Sequence, residues 1–244
     1  MSRLRISAKN LGMLALADFC PRCFWFRVNA ENRLPYQVFP GIFSSIDSYT
    51  KRVVHAWIDR HRSAPIWLDG IGEVNGYIDP PHHSRFQMEI PRYDILLTGS
   101  PDGVLTLSDL SIAIVDYKTA RYTATQDKLM PMYMTQLNGY AQIAGYIGLG
   151  NVTKLALVYA EPVTDEKTAS DPAVQHSQGF SMRFAVHVHP VEIDPAMIQP
   201  LLATARAIFE RSEPPAGREG CQDCRNLDRL ISLAKGGAEP AWEE

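Results

Sequence analysis

The hydrophobic pattern of this 244-residue chain switches between helical and strand periodicity. Apolar residues three and four apart predict helices over 8–19, 46–57, 131–148 and 195–211, the second with Ile46, Tyr49, Val53 and Trp57 at helical spacing. Runs of β-branched and aromatic residues between turn residues predict short strands over 66–68, 76–78, 93–97, 104–107, 112–117, 154–159 and 182–189. Helices interspersed with short strands predict an α/β fold.

Two charged residues end the strand predicted over 112–117. Because side chains alternate along a strand, Ile112, Ile114, Asp116 and Lys118 point to one face. The isoleucines begin that face in the core, and the charged pair ends it at the rim. A carboxylate and an ammonium at the end of a buried strand cost stability unless they are paired or bind a metal ion.

A predicted hairpin brings a second carboxylate to the same place. Residues 108–111 read Ser-Asp-Leu-Ser, which fits a loop between antiparallel strands. If residues whose numbers sum to 218 face each other, Asp102 lies opposite Asp116. Loop length alone does not determine this register to within one residue.

Paired carboxylates suit Mg²⁺ or Mn²⁺, because hard cations prefer oxygen ligands. Such an ion polarises a phosphate and lowers the pKa of an attacking water. A lysine two residues after the second carboxylate can orient that water. The layout is expected of a metal-dependent phosphodiesterase, although a solvated ion pair at a strand end is the better explanation of Asp116-Tyr-Lys118 taken alone.

Composition narrows the class of protein. Hydrophobic residues make up 45% and charged residues 21%, which is ordinary for a soluble globular protein. The net charge of −3 lacks the global basic footprint of many nucleic-acid binders, so a nuclease needs a local basic groove. Candidates for that groove are Arg85, Arg92, Lys118, Arg121 and Lys128.

The compartment follows from what the sequence lacks. Apolar runs are too short to span a bilayer, and the N-terminal segment has no small-residue cleavage site. We therefore expect a cytoplasmic protein without a membrane partner, whose four cysteines are metal ligands rather than disulfides. No Walker A motif is present, so any unwinding of a duplex needs a partner.

Four motifs in order resemble the RecB-like branch of the PD-(D/E)XK nuclease superfamily. That branch shows a histidine, Gly-x-x-Asp, Asp-x-Lys and Gln-x3-Tyr. The matching positions are His55, Gly99-Ser-Pro-Asp102, Asp116-Tyr-Lys118 and Gln136-x3-Tyr140. The resemblance extends over about residues 10–225. It implies a PD-(D/E)XK, restriction-endonuclease-like core with a mixed central sheet flanked by helices.

The resemblance also implies roles for individual residues. Asp102 and Asp116 are the implied metal ligands, together with the backbone carbonyl of Tyr117, and Lys118 is the implied catalytic lysine. His55 is implied to complete the metal shell, which favours Mn²⁺ because imidazole is a softer ligand than carboxylate. The alternative for His55 is a half-buried packing residue on its helix.

Gln136 and Tyr140 lie four residues apart, so they share one helix face. The resemblance implies that they line the active site and contact the nucleic-acid strand or the lysine. The alternative is a tyrosine packed with Tyr133 and Leu137.

The cysteines form two C-x2-C pairs near the ends of the chain, Cys20 with Cys23 and Cys221 with Cys224. Together they can supply four thiolates to a tetrahedral zinc ion or to an iron–sulfur cluster. The small CRISPR-associated RecB-type exonucleases, which the chain resembles, carry a four-cysteine 4Fe–4S cluster with one cysteine N-terminal and three C-terminal. This chain departs from that arrangement. An iron–sulfur cluster is the favoured cofactor, zinc is the first alternative, and unligated thiols are the second.

These inferences combine into one prediction. A single nuclease domain spans 1–244, with a core over about 45–212 and a cysteine-bound helical subdomain from about 8–34 and 213–235. It cleaves DNA with Mg²⁺ or Mn²⁺ as an exonuclease on single-stranded ends, with a helicase or CRISPR integration partner in trans. The alternatives are a non-catalytic nucleic-acid-binding scaffold with a nuclease fold and a nuclease that acts on RNA.

Overall fold

A computed structural model describes residues 3–33, 40–123 and 128–236 of the chain. The strands in chain order are β1 (Leu4–Ser7), β2 (Val74–Ile78), β3 (Gln87–Ile90), β4 (Ile95–Thr98), β5 (Gly103–Leu107), β6 (Ile112–Lys118), β7 (Val152–Pro162), β8 (Gln175–His176), β9 (Gly179–Phe180) and β10 (Phe184–Val191). The helices are α1 (Ala8–Gly12), α2 (Pro21–Asn29), α3 (Gly41–His61), α4 (Met130–Tyr146), α5 (Glu166–Ala169), α6 (Ile198–Phe209) and α7 (Gln222–Ala234). The α/β prediction is confirmed.

The principal sheet is mixed. Its five strands lie in the order β10-β7-β6-β5-β2, and only β6 and β7 run parallel. Helix α4 lies between these two parallel strands in the chain and forms the crossover connection that a parallel pair needs. A second sheet has the order β1-β4-β3, with β1 parallel to β4. Strands β8 and β9 form a separate short pair.

Helices and the second sheet cover the two faces of the principal sheet. On one face, Ile114 of β6 packs in a cluster with Leu137 of α4 and with buried residues of β1, β4 and α6. On the other face, Ala113 and Val115 belong to a cluster with Val54 of α3. Alternation along β6 therefore directs successive side chains into two separate cores.

The hairpin register is confirmed. Gly103 pairs with Val115 and Thr106 with Ile112, so every pair between β5 and β6 sums to 218. This register brings Asp102 and Asp116 to one end of the sheet. Asp116 is nevertheless buried rather than at an exposed rim, whereas Lys118 is half-buried.

Helix α4 matches its prediction closely because its end signals are local. Pro131 occupies its first turn, where the missing N–H is not needed. At its C-terminal end Gly148 has φ +69°, and the N–H of Leu149 bonds to the carbonyl of Ala144. Glycine adopts this left-handed conformation without strain, so the helix stops there.

Several other predicted elements differ from the structure in type or in bounds. Residues 66–68 are the start of a 3-10 helix, Ile66–Ile71, in which Leu68 and Ile71 are buried while Ile66 is exposed. The strand predicted over 93–97 is β4, which begins after a left-handed residue, Asp94. The helix predicted over 8–19 is only α1 followed by a 3-10 turn. Strands β1 and β3 escaped prediction, whereas α2 and α7 lie in the predicted helical subdomain, whose helix bounds the sequence did not specify.

Helix α3 forms as predicted, but the predicted stripe faces solvent. Tyr49, Val53 and Trp57 are all exposed, whereas Val54 and Ile58 are fully buried. One turn and two turns before Val54, the same helix face carries Lys51 and Asp47, which are half-buried. The orientation of α3 therefore carries these two charged residues toward the sheet.

No helix in the described ranges is long and apolar enough to cross a membrane.

Candidate active site and four-cysteine site

Asp102 and Asp116 meet at the end of the β5–β6 hairpin. The backbone N–H of Tyr117 donates to Oδ2 of Asp102 at 3.0 Å, which holds the carboxylate against β6. Asp116 is 3% exposed and its Oδ2 forms an ion pair with Nζ of Lys118. The Lys118 ammonium also lies 4.3 Å from the centre of the Tyr133 ring, which restricts its position.

A buried chain of hydrogen bonds orients Asp116. Nε2 of Gln136 donates to Oδ1 of Asp116 at 2.8 Å and lies 2.9 Å from the hydroxyl of Tyr140. Both residues come from α4 and both are almost fully buried. Tyr140 also packs edge-on against Phe86, so it belongs to the core and to the site at once.

Gly99 permits the close approach of Tyr140, the last residue in this chain of hydrogen bonds. A Cβ atom at Gly99 would lie 2.6 Å from Cε1 of Tyr140 and 3.1 Å from Cδ1 of Phe86. Side-chain atoms do not approach this closely without displacement. The glycine of the Gly99-Ser-Pro-Asp102 motif therefore makes room for the tyrosine of the Gln136-x3-Tyr140 motif.

Burial and charge raise the pKa of Asp116 to about 6, from an ordinary value of 3.8. Burial is the largest cause, since it penalises the ionised carboxylate. The Lys118 ammonium opposes the shift, and the negative charge of Asp102 adds to it. A cation placed between the two carboxylates would relieve the repulsion that raises this pKa.

Helix α3 adds two residues that the sequence did not single out. Nζ of Lys51 lies 2.8 Å from Oδ2 of Asp47 and 2.9 Å from Oδ1 of Asp102. Burial lowers the pKa of Lys51, but the charges of Asp102 and Asp47 outweigh burial and raise it overall. Burial raises the pKa of Asp47, and the charge of Asp102 adds to that rise.

His55 packs on a neighbouring aromatic ring. Its ring stacks on Tyr77 with a centroid distance of 3.8 Å and an interplanar angle of 8°. Burial lowers its pKa, and the charges of Asp79 and Asp59 oppose this. The stacking is what the packing alternative describes, and the metal-ligand role of His55 stays a prediction.

The two carboxylates of the hairpin end, Asp102 and Asp116, line a cleft of about 530 Å³ that is open to solvent. Its lining includes Lys9, Asp47, Asp102, Asp116, Lys118 and Gln136. Oδ1 of Asp47 and Oε1 of Gln136 are buried and have no hydrogen-bond partner among the described residues. Carboxylate and amide oxygens are the ligands of hard divalent cations, so the donor set fits Mg²⁺ or Mn²⁺.

A second cleft, of about 700 Å³, lies on the other side of α1. Ser7 and Asn10 line it, whereas Lys9 of the same helix lines the first cleft. Its lining contains four arginines and a single carboxylate, that of Glu31. The arginines are Arg3, Arg5, Arg27 and Arg33. None of these belongs to the basic groove that the sequence predicted.

The four cysteines converge. Sγ of Cys20 lies 3.5 Å from Sγ of Cys224, and Sγ of Cys23 lies 3.6 Å from Sγ of Cys221. All four sulfur atoms lie within 4.8 Å of one another, and in the described ranges no other group of potential ligands is so compact. The prediction that both C-x2-C pairs form one cluster is confirmed.

The two pairs use the same local structure. Cys20 and Cys221 precede the first turns of α2 and α7, and Cys23 and Cys224 lie in those turns. Backbone N–H groups at helix N-termini favour thiolates, which are the form that binds metal. A bidentate ion pair from Arg22 to Asp228, with N–O distances of 2.9 and 2.6 Å, ties the helices together.

The thiols do not share one acidity. Burial opposes ionisation of Cys20, but N–H groups of Arg218 and Cys23 and the neighbouring thiols lower its pKa to about 6. Burial raises the pKa of Cys224 to about 11. Sulfur atoms this close cannot all ionise without a cation, because each thiolate repels the next.

The fold and the cleft define a metal-dependent phosphodiesterase architecture: a mixed sheet whose hairpin end presents two carboxylates and a lysine. A family model of the PD-(D/E)XK nuclease superfamily matches residues 31–228, and the chain belongs to that superfamily. Its members are generally metal-dependent nucleases, which supports phosphodiester hydrolysis here.

Similarity to individual proteins is weak. A solved structure described as "Crystal structure of SSO0001" is 15% identical over 88% of this chain and 81% of that one, with a TM-score of 0.37. None of the curated proteins matches the sequence.

Proposed function

We propose that this protein is a metal-dependent nuclease of the RecB-like branch that hydrolyses phosphodiester bonds at the hairpin end. The observation that carries the proposal is the convergence of Asp102, Asp116 and Lys118 at one cleft, with Gln136 bonded to Asp116 at 2.8 Å. A structural ion pair needs no such cleft and no second carboxylate. The intact set also argues against the non-catalytic scaffold.

Each residue has a distinct task in this proposal. Asp102 and Asp116, with the carbonyl of Tyr117, would hold Mg²⁺ or Mn²⁺, which when bound polarises a phosphate and acidifies a water. Lys118 stabilises negative charge that develops on the phosphate. Gln136 holds the Asp116 carboxylate in one orientation, and the Tyr140 hydroxyl holds the Gln136 amide.

Two isosteric or near-isosteric variants test the catalytic assignment. Asp116→Asn keeps the buried shape and removes the charge, and Lys118→Met removes the ammonium. We expect each to reduce Mn²⁺-dependent cleavage of an end-labelled oligonucleotide by about 100-fold or more, as loss of a group that acts on the transition state does. Lys154→Met, at an exposed position of β7, is the matched control. Wild-type turnover by either site variant would refute the assignment.

We propose single-stranded DNA ends as the substrate, because the chain has no motor to open a duplex. The arginine-lined cleft supports this proposal, since guanidinium groups pair with phosphates and residues of α1 line both this cleft and the catalytic one. Linear single strands should be degraded and circular single strands should survive. Equal cleavage of circles would show an endonuclease, and preference for an RNA of the same sequence would favour the RNA alternative.

The spacing of the cysteine sulfurs supports a single tetrahedral metal ion more than the favoured iron–sulfur cluster. Thiolates at Zn–S distances of about 2.3 Å lie about 3.8 Å apart in a tetrahedron. The shortest separations, 3.5, 3.5 and 3.6 Å, are close to that value, and all four sulfurs lie within 4.8 Å of one another. In a 4Fe–4S cluster each thiolate binds a different iron atom, so the sulfurs must stand further apart.

We therefore propose zinc at this site, in a reducing, cytoplasmic compartment where the free thiols persist. Anaerobically purified protein should be colourless and contain about one zinc per chain. A brown protein with a broad band near about 400 nm would establish the iron–sulfur cluster instead. Loss of any one cysteine should destabilise the contact between α2 and α7, because metal binding here contributes folding free energy.

A further inference from the structure

Helix α3 places a third carboxylate in the catalytic cleft. Asp47 lines the cleft together with Asp102 and Asp116. Oδ2 of Asp47 lies 2.8 Å from the Lys51 ammonium, which lies 2.9 Å from Oδ1 of Asp102. A single positive charge therefore bridges two carboxylates beside the hairpin end.

The bonding of Asp47 is incomplete. Its Oδ1 atom is buried and has no hydrogen-bond partner within the described ranges. A buried polar atom without a partner has lost its hydrogen bonds to water without replacement, so such an atom in a cleft needs an explanation. In the same cleft, Oε1 of Gln136 is also buried and also without a hydrogen-bond partner in the described part of the chain. A bound cation and its waters would satisfy both oxygens.

We propose that Asp47 is a ligand of the divalent cation, together with Asp102 and Asp116, in the place that the family resemblance gives to His55. Lys51 holds Asp47 and Asp102 in position until the cation arrives. The proposal shares the cleft of the proposed function but concerns cation binding alone.

Lys51 acts as a stand-in cation between two of the carboxylates. Among the described residues only the cysteines are grouped closely enough to hold a metal ion, so Asp47, Asp102 and Asp116 must move closer together when a cation binds. The ammonium between Asp47 and Asp102 keeps them apart by its own size while it neutralises them. Binding of a divalent ion must compete with this ammonium, so Lys51 weakens the affinity for the ion.

We expect two substitutions to have opposite effects on the affinity for Mn²⁺. Asp47→Asn keeps the side-chain shape and removes a charged ligand, so Mn²⁺ affinity should fall by about tenfold or more, the range seen when the support of a metal site is lost. Lys51→Met removes the competing charge, so Mn²⁺ affinity should rise. If Asp47 served only to hold Lys51, both substitutions would weaken binding alike.

Isothermal titration of the full-length protein with Mn²⁺ measures these affinities without a cleavage assay. Mn²⁺ reports on the oxygen ligands, because thiolates select softer metals. Asp59→Asn and His55→Gln, on the same helix but outside the cleft, are the controls and should bind Mn²⁺ as the wild type does. A thermal melt of each variant confirms folding, and Lys51→Met still decides the question if Asp47→Asn does not fold.

Three results would overturn the inference: wild-type Mn²⁺ affinity in Asp47→Asn, equal losses in Asp47→Asn and Lys51→Met, or a loss in His55→Gln alone. Failure of the wild type to cleave any nucleic acid would refute the proposed function and would leave the cation site standing. The two hypotheses therefore fail separately.

Discussion

Substitution of Gly99 by alanine tests whether the glycine of the first motif exists to admit Tyr140. The new Cβ would lie 2.6 and 2.7 Å from two atoms of the Tyr140 ring. Carbon atoms that touch without strain stand about 3.5 Å apart, so the ring must move by about 1 Å. Tyr140 is 5% exposed and has Phe86 on its flank, so it has little room to move. Overpacking of this kind costs about 1–3 kcal/mol.

The same displacement should reach the catalytic carboxylate. The Tyr140 hydroxyl is 2.9 Å from Nε2 of Gln136, and a shift of about 1 Å breaks that bond and frees the amide that orients Asp116. We therefore expect Gly99→Ala to lower both the melting temperature and the turnover of the Mn²⁺-dependent reaction.

Gly145→Ala is the matched control for Gly99→Ala. It lies on α4 with no atom within 4 Å of the new Cβ. It should stabilise the protein by about 0.5–1 kcal/mol through helix propensity and should leave turnover unchanged. Chemical denaturation and a single-turnover cleavage assay of the two variants give the comparison. A Gly99→Ala protein with wild-type stability and turnover would show that Tyr140 is not wedged as the structure has it.

Three further predictions concern the site. The pKa of Asp116 is about 6 in the folded protein against an ordinary value of 3.8, so between these pH values the native state binds more protons than the unfolded state. Metal-free protein should therefore lose stability as the pH rises from about 4 to about 6, while its affinity for Mn²⁺ should increase over the same range. The Asp116→Asn variant should show neither trend. Tyr140→Phe removes one buried hydrogen bond worth about 1 kcal/mol and keeps the ring, so it should lower turnover more than the melting temperature; a lower melting temperature with normal turnover would place Tyr140 in the core alone. In a protein that carries Asp116→Asn, the double substitution Arg5→Ala and Arg27→Ala should weaken binding of single-stranded DNA. It should also reduce the slope of log binding constant against log salt concentration by about 0.7 for each phosphate that is no longer neutralised, whereas Arg60→Ala should not. An unchanged slope would show that the strand does not bind in the arginine-lined cleft.

Elements whose signals are local could be predicted from the amino-acid sequence. Turn residues at 108–111 predict the hairpin and are compatible with the register that pairs Gly103 with Val115, but only the observed sheet establishes that register and brings Asp102 to Asp116. Pro131 and Gly148 likewise define the limits of α4, because each acts through its own backbone conformation. The two C-x2-C pairs were enough to predict their convergence, since together they supply the four thiolates that a tetrahedral metal site needs.

The face of α3 that turns inward depends instead on tertiary packing. The helix carries one apolar stripe through Tyr49 and Trp57 and another through Val54 and Ile58, so periodicity cannot choose between them. Packing of Val54 and Ile58 against the sheet buries the second stripe. That choice carries Asp47 into the cleft, brings Lys51 to Asp102 and leaves His55 on Tyr77. The rotation of α3 about its own axis, by less than half a turn, therefore determines which side chain faces the metal site. The sequence cannot predict this rotation, because it depends on the sum of packing contacts with residues that are distant along the chain.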